Sequence, residues 1–215
     1  AALAMSKVLY PETETPETLG EDIKPSYKRD NNLFEAIING ANTGGKLIFG
    51  IVVLLLAILG LVSLLDKILL WFGGHANTLF QVDVDFSLKA ILGLIFTPFT
   101  YLLGIPPEEV KAAAQIIGER FVVTEVAAYQ DLAIAMKEQT IQSPRTIVIV
   151  TYALCGFAHV ASMAIFVGGI AAIVPEQTKK LAEVGPYALL AATLACLITA
   201  CVAGIFFMEN SILLS

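Results

Sequence analysis

The chain has 215 residues, of which 57% are hydrophobic and only 15% charged, with a formal net charge of −6. Soluble domains average about 25% charged residues, so this composition excludes a disordered segment and argues against a water-soluble domain. The acidic balance and the lack of a basic stripe exclude the usual nucleic-acid binder, and an integral membrane protein is the starting point.

Residues 1–5 read as the tail of a helix that begins upstream and closes at Lys7, with no basic region like that of a signal peptide. The expectation is a piece of a longer protein. Tyr10–Asn32 holds three prolines, six acidic and three basic residues. Segment 1–32 is therefore a helix end followed by a cytoplasmic linker, with Asn31 or Asn32 as a candidate N-cap. Over 33–46, Leu33, Phe34, Ile37 and Ile38 fall at helical spacing before the small polar run Asn39–Gly45. That predicts a short amphipathic helix at the bilayer surface, or a lead-in to the next span.

Segment 47–65 has Ser63 as its only polar side chain, and its 19 residues lie between Lys46 and Asp66. As a helix it covers about 28 Å, close to the hydrocarbon thickness. Residues 66–87 are expected to leave the membrane. Segment 88–104 is apolar but short and contains Pro98, which fits an interfacial or kinked helix. Over 107–138, Pro106 and Pro107 open one helical pattern, Gly118 and the β-branched run Val122–Thr124 interrupt it, and a second follows. Either a re-entrant hairpin of two half-length helices or an ordinary amphipathic surface helix carries that pattern.

Segment 146–174 is 29 residues without Asp, Glu, Lys or Arg, too long for one untilted crossing, with Gly156, Gly168 and Gly169 as places to break. Segment 185–208 is a last span rich in small residues that permit close packing. Lys24, Lys28, Arg29 and Lys46, then Lys179 and Lys180, place their loops in the cytoplasm by the positive-inside rule, leaving the C-terminus external. The fold class is thus an all-α polytopic membrane protein with transmembrane helices, a re-entrant helical hairpin and a broken helix.

In the long span, Thr151, Cys155, His159 and Ser162 fall on one helical stripe. It serves either a solute site near the midplane or the adhesion of two helices. Glu125 is sharper: a carboxylate at the bilayer centre costs about 2.5–3.5 kcal/mol on insertion scales, so it is kept for a partner or ligand. At a hairpin tip its partners would be a solute hydroxyl, Arg120 or His159; at the interface its charge costs little. Cys155, Cys196 and Cys201 lack metal-ligand spacing and read as small buried hydrophobes. With no phosphate-cradling glycine loop and only two histidines, His75 and His159, an enzyme is not expected, although Ser162 and His159 at i,i+3 leave an intramembrane dyad open.

These residues resemble the C-terminal portion of the concentrative nucleoside transporter family. The likeness rests on Ser6–Glu14, on Asn39–Leu47 against Asn-Gly-Ala-x-x-Gly-x-Lys-Leu, and on Gly118–Tyr129 against Gly-x-Lys-x-x-x-Asn-Glu-Phe-Val-Ala-Tyr. Ser143-Pro144-Arg145, Tyr152–Ala158, Gly168–Ile170 and Pro175-Glu176 extend it. The resemblance implies ion-coupled symport of nucleosides across the cytoplasmic (bacterial inner) membrane by a homotrimer embedded in lipid, without a cofactor. Glu125 maps to the ribose-binding glutamate, His159 to a site asparagine and Ser162 to a ribose-binding serine, with Thr124 and Phe157 in support. A carboxylate suits a ribose because it accepts from two adjacent hydroxyls.

Three positions depart from the pattern: Thr124 replaces the motif asparagine, Val126 its phenylalanine and His159 the site asparagine. A neutral imidazole has one donor and one acceptor, unlike an amide, which opens the base preference, a non-nucleoside solute and a pH-dependent affinity. The coupling ion, H+ or Na+, is expected to be bound mainly by residues outside this chain. The alternative function is a non-transporting, gate-like membrane module of a larger assembly.

Overall fold

The computed structural model describes residues 1–13, 15, 19–20 and 30–208, and its regular elements among these are all helical. They are α1 (Ala2–Leu9), α2 (Leu33–Phe80), α3 (Leu88–Leu102), α4 (Pro107–Arg120), α5 (Glu125–Lys137), α6 (Pro144–Leu154), α7 (Val160–Ile173) and α8 (Thr178–Ile205). A short 3-10 turn at Pro175–Gln177 leads into α8. The linker charges Lys24, Lys28 and Arg29, and the C-terminal end whose side of the membrane was expected to be external, lie outside the described residues.

Segments 33–46 and 47–65 form one helix of 48 residues that continues to Phe80, so 33–46 is the lead-in to the next span and not a separate surface helix. Asn32 caps it by accepting the Glu35 N–H at 2.9 Å, while the Glu35 carboxylate takes the Asn31 N–H at 3.0 Å. The polar run Asn39–Gly45 and the pair Asp66-Lys67 change polarity more than conformation. Glycine and asparagine each cost at most about 1 kcal/mol of helix propensity, which a long cooperative helix absorbs. The helix is about 72 Å long, more than twice the hydrocarbon thickness, so it lies within the bilayer only when steeply tilted. Gly73 is its one buried residue, and Leu56, Leu61, Trp71 and Phe72 stay exposed on this chain, as suits a face turned to lipid or another polypeptide.

The core lies instead among α4, α5, α6 and α8, where Ile117, Leu132, Ile149, Val150, Leu154 and Ala200 are buried. Small residues set the closest crossings. A Cβ on Gly118 would come within 2.8 Å of the Leu92 backbone, and one on Gly93 within 2.7 Å of Gln115, so α3 and α4 approach only because both positions are glycine. Gly168 of α7 likewise receives Leu54 of α2.

Two charged side chains close the base of this assembly. Glu109, at the start of α4, accepts the backbone N–H groups of Gln142 and Ser143 at 2.6 and 2.8 Å, supporting the N-terminus of α6. Arg145 in the first turn of α6 donates to the carbonyls of Gly104 and Gly204, just beyond α3 and near the end of α8. Gly104 has φ +76°, the left-handed conformation that ends α3.

Candidate functional site

Two interruptions build the site. The helical pattern of 107–138 stops after Arg120 and restarts at Glu125, and the long span 146–174 stops after Leu154 and restarts at Val160. The second break is local chemistry: Gly156 has no side chain to hold a helix, and its backbone N–H bonds Leu154 rather than the carbonyl four residues back. The stripe Thr151, Cys155, His159, Ser162 is therefore not one continuous helix face. Thr151 stays on α6, where its carbonyl accepts the Tyr129 hydroxyl at 3.1 Å, and Cys155 is exposed at the break.

The two breaks meet. The Val160 N–H donates to the Phe121 carbonyl at 3.0 Å, tying the broken helix to the turn between α4 and α5. Beside that link, His159 Nε2 lies 2.7 Å from Glu125 Oε2. His159 is the N-cap of α7: its Nδ1 accepts the Ser162 backbone N–H at 3.0 Å, and the Ser162 hydroxyl accepts the His159 N–H at 3.0 Å. This is a capping box with histidine and serine in place of the usual pair. It also assigns the tautomer, since a ring nitrogen that accepts carries no proton. His159 is neutral here, with its proton on Nε2 and directed at the Glu125 carboxylate.

Glu125 opens α5 and faces the capped end of α7, so two half-helix N-termini, each with about half a positive charge, converge on its carboxylate. Its side chain is 29% exposed, whereas His159 and Ser162 are each 1% exposed. Glu125 is thus the member of the cluster open to a solute, and the other two stand behind it. Thr124 precedes α5 without a side-chain cap bond. The half-exposed Phe157 ring lies 5.1 Å from the His159 ring, edge to face. A cavity of 330 Å³ between α7 and α8, lined by Met163, Val167 and Leu189, shares only Phe157 and Ser162 with this cluster and is apolar.

Arg120, one of the expected partners of Glu125, points elsewhere. Its Nη2 donates to the Gly156 carbonyl at 2.7 Å and to Cys196 Sγ at 3.1 Å. Sequence reasoning passed over this contact because 76 residues separate Arg120 from Cys196. A second missed cluster is Lys89 of α3, which reaches Glu119 at 2.6 Å and also binds Asp131. The local signal for Lys89 was a basic residue on an apolar stretch, and Arg120, beside Glu119 in a mixed helix, had none.

A family model described as "Na+ dependent nucleoside transporter C-terminus" matches residues 1–204. Mouse solute carrier family 28 member 3 is 35% identical over 218 aligned positions, covering 95% of this chain and 30% of the relative. Rat sodium/nucleoside cotransporter 1 is 31% identical and covers 98% and 34%. The solved structure of a CNTnw variant in an intermediate state superposes with a TM-score of 0.78 at 31% identity, covering 95% of this chain and 50% of that one. The chain therefore spans at most half the length of these relatives. On the family match and the all-helical, apolar fold, it belongs to the C-terminal region of the Na+-dependent nucleoside transporter family of integral membrane proteins.

Proposed function

We propose that this chain supplies the ribose-binding half of a site for ion-coupled nucleoside transport. One carboxylate oxygen of Glu125 is held by His159 and the other is free to accept from a ribose hydroxyl. The observation that carries the reading is the 2.7 Å approach of Glu125 and His159 across the two breaks. A partly exposed carboxylate among half-helix N-termini suits a neutral polyol, because a charge-assisted hydrogen bond is roughly twice as strong as a neutral one. On the sugar side His159 and Ser162 hold Glu125 from behind, Phe157 supplies an apolar wall, and Thr124 shapes the turn. The family name favours Na+ as the coupling ion; in this reading residues outside this chain bind it, and the whole protein works as a homotrimer in the cytoplasmic membrane.

The test is uptake of labelled uridine and adenosine by cells that lack their own nucleoside carriers and express this protein. Glu125→Gln, which keeps shape and removes charge, is expected to lower uptake at least about tenfold at equal membrane abundance. An unchanged rate removes Glu125 from the site.

A further inference from the structure

Four half-helix ends meet at this site, and they meet in pairs of like polarity. The N-termini of α5 and α7 converge on Glu125. On the other side, Arg120 is the last residue of α4, and its Nη2 binds the carbonyl of Gly156, just past the end of α6. The guanidinium, carried on the last turn of α4, is therefore bonded at the C-terminal end of α6, and each helix C-terminus carries about half a negative charge. Arg120 is 1% exposed, its Nε has no hydrogen-bond partner, and among the described residues no carboxylate lies within 4 Å of it. Its other acceptor is the thiol of Cys196 on α8. A buried cation without a carboxylate is costly unless fixed dipoles take that role, and the carbonyl just past the end of α6 is the dipole that Arg120 engages.

Converging helix C-termini and unwound carbonyls are where membrane carriers place a coupling cation. We infer that Arg120 is a tethered cation for the negative pole at the end of α6, and thereby a positioning residue that fixes the break and holds Glu125 at the opposite pole. The ribose half of the site then carries its own cation and takes none from solution. The inference rests on the sugar-binding reading above.

The experiment compares wild type, Arg120→Lys and Arg120→Gln in cells expressing the protein, with membrane abundance measured alongside. The readout is the preference for uridine over dideoxyuridine, which lacks the ring hydroxyls. Lysine keeps the charge and one donor for Gly156, so the preference is expected to stay within about twofold of wild type. Glutamine keeps a donor and loses the charge, and the preference is expected to fall about tenfold. A merely structural role would lower abundance and leave the preference alone. The inference is overturned by a wild-type preference in Arg120→Gln, or by equal loss in both variants. Should Arg120→Gln not reach the membrane, the wild type decides: its preference is expected to be the same at saturating and limiting Na+, and a preference that rises with Na+ overturns the inference. A wild type that takes up neither compound, or does not distinguish them, overturns the sugar-binding reading itself and this inference with it.

Discussion

Glu125 and His159 are 34 residues apart in sequence and 2.7 Å apart in space, and the bond between them joins the first turn of α5 to the N-cap of α7. Both ring nitrogens of His159 are committed, Nδ1 as acceptor for Ser162 and Nε2 as donor to Glu125. Such a histidine has a single working protonation state.

That commitment fixes the sign of a pH effect. A proton on Nδ1 would set a donor against the Ser162 N–H and open the cap, so solute affinity is expected to fall as pH drops from 8 to 5.5, measured by equilibrium binding without an ion gradient. His159→Asn, whose amide oxygen caps as well as any side chain, is expected to bind with little dependence on pH. His159→Ala is expected to lose binding and about 1 kcal/mol of stability. A wild type with a flat profile would mean that this imidazole is not the titrating element.

Ser162 completes the cap from the other side. Its hydroxyl takes the buried His159 N–H and faces the carbonyls of Phe157 and His159 at 3.0 and 2.6 Å. Ser162→Ala leaves a buried donor unpaired, at a cost of about 1–3 kcal/mol. The thermal midpoint in detergent is expected to fall, while Ser162→Thr, which retains the hydroxyl, falls less.

The break itself depends on Gly156. A Cβ there would sit 2.4 Å from Cys196 Sγ and 3.3 Å from Arg120 Nη2. Gly156→Ala therefore forces α8 or the break to move, a strain of about 1–3 kcal/mol, and is expected to depress uptake. Removing the sulfur with Cys196→Ala in the same chain is expected to restore part of the loss. If the double variant is no better than the single one, the clash lies elsewhere.

Much of this was legible in the residues because it is local. Gly156 in an apolar run marks a helix break, Gly118 with Val122–Thr124 marks the end of a half-helix, and a lone carboxylate at position 125 demands a partner. What was not legible is of two kinds. The length of α2 was missed because Asn39–Gly45 and Asp66 carry the polarity of a boundary without the backbone chemistry of one, no proline and no left-handed glycine being present there. Arg120 on Gly156, Cys196 as an acceptor, and Lys89 on Glu119 and Asp131 are long-range contacts that no periodicity encodes.

Lys89 gives the last test. It reaches from the first turn of α3 to Glu119 near the end of α4 and to Asp131 in the middle of α5, so one ammonium bridges two carboxylates on both arms of the hairpin. The three side chains are 40%, 21% and 27% exposed, and solvent screening keeps each pair to about 1 kcal/mol or less. The larger effect comes from what remains when the cation is removed, two carboxylates facing each other with nothing between them. Lys89→Met is expected to lower the thermal midpoint in detergent by about 2–4 °C. Adding Asp131→Asn, which removes one of the two charges, is expected to recover most of that drop, although Asp131→Asn alone also loses a bond and is mildly destabilising. Recovery in the double variant separates repulsion from lost packing of the lysine stem, since lost packing would make the two changes additive.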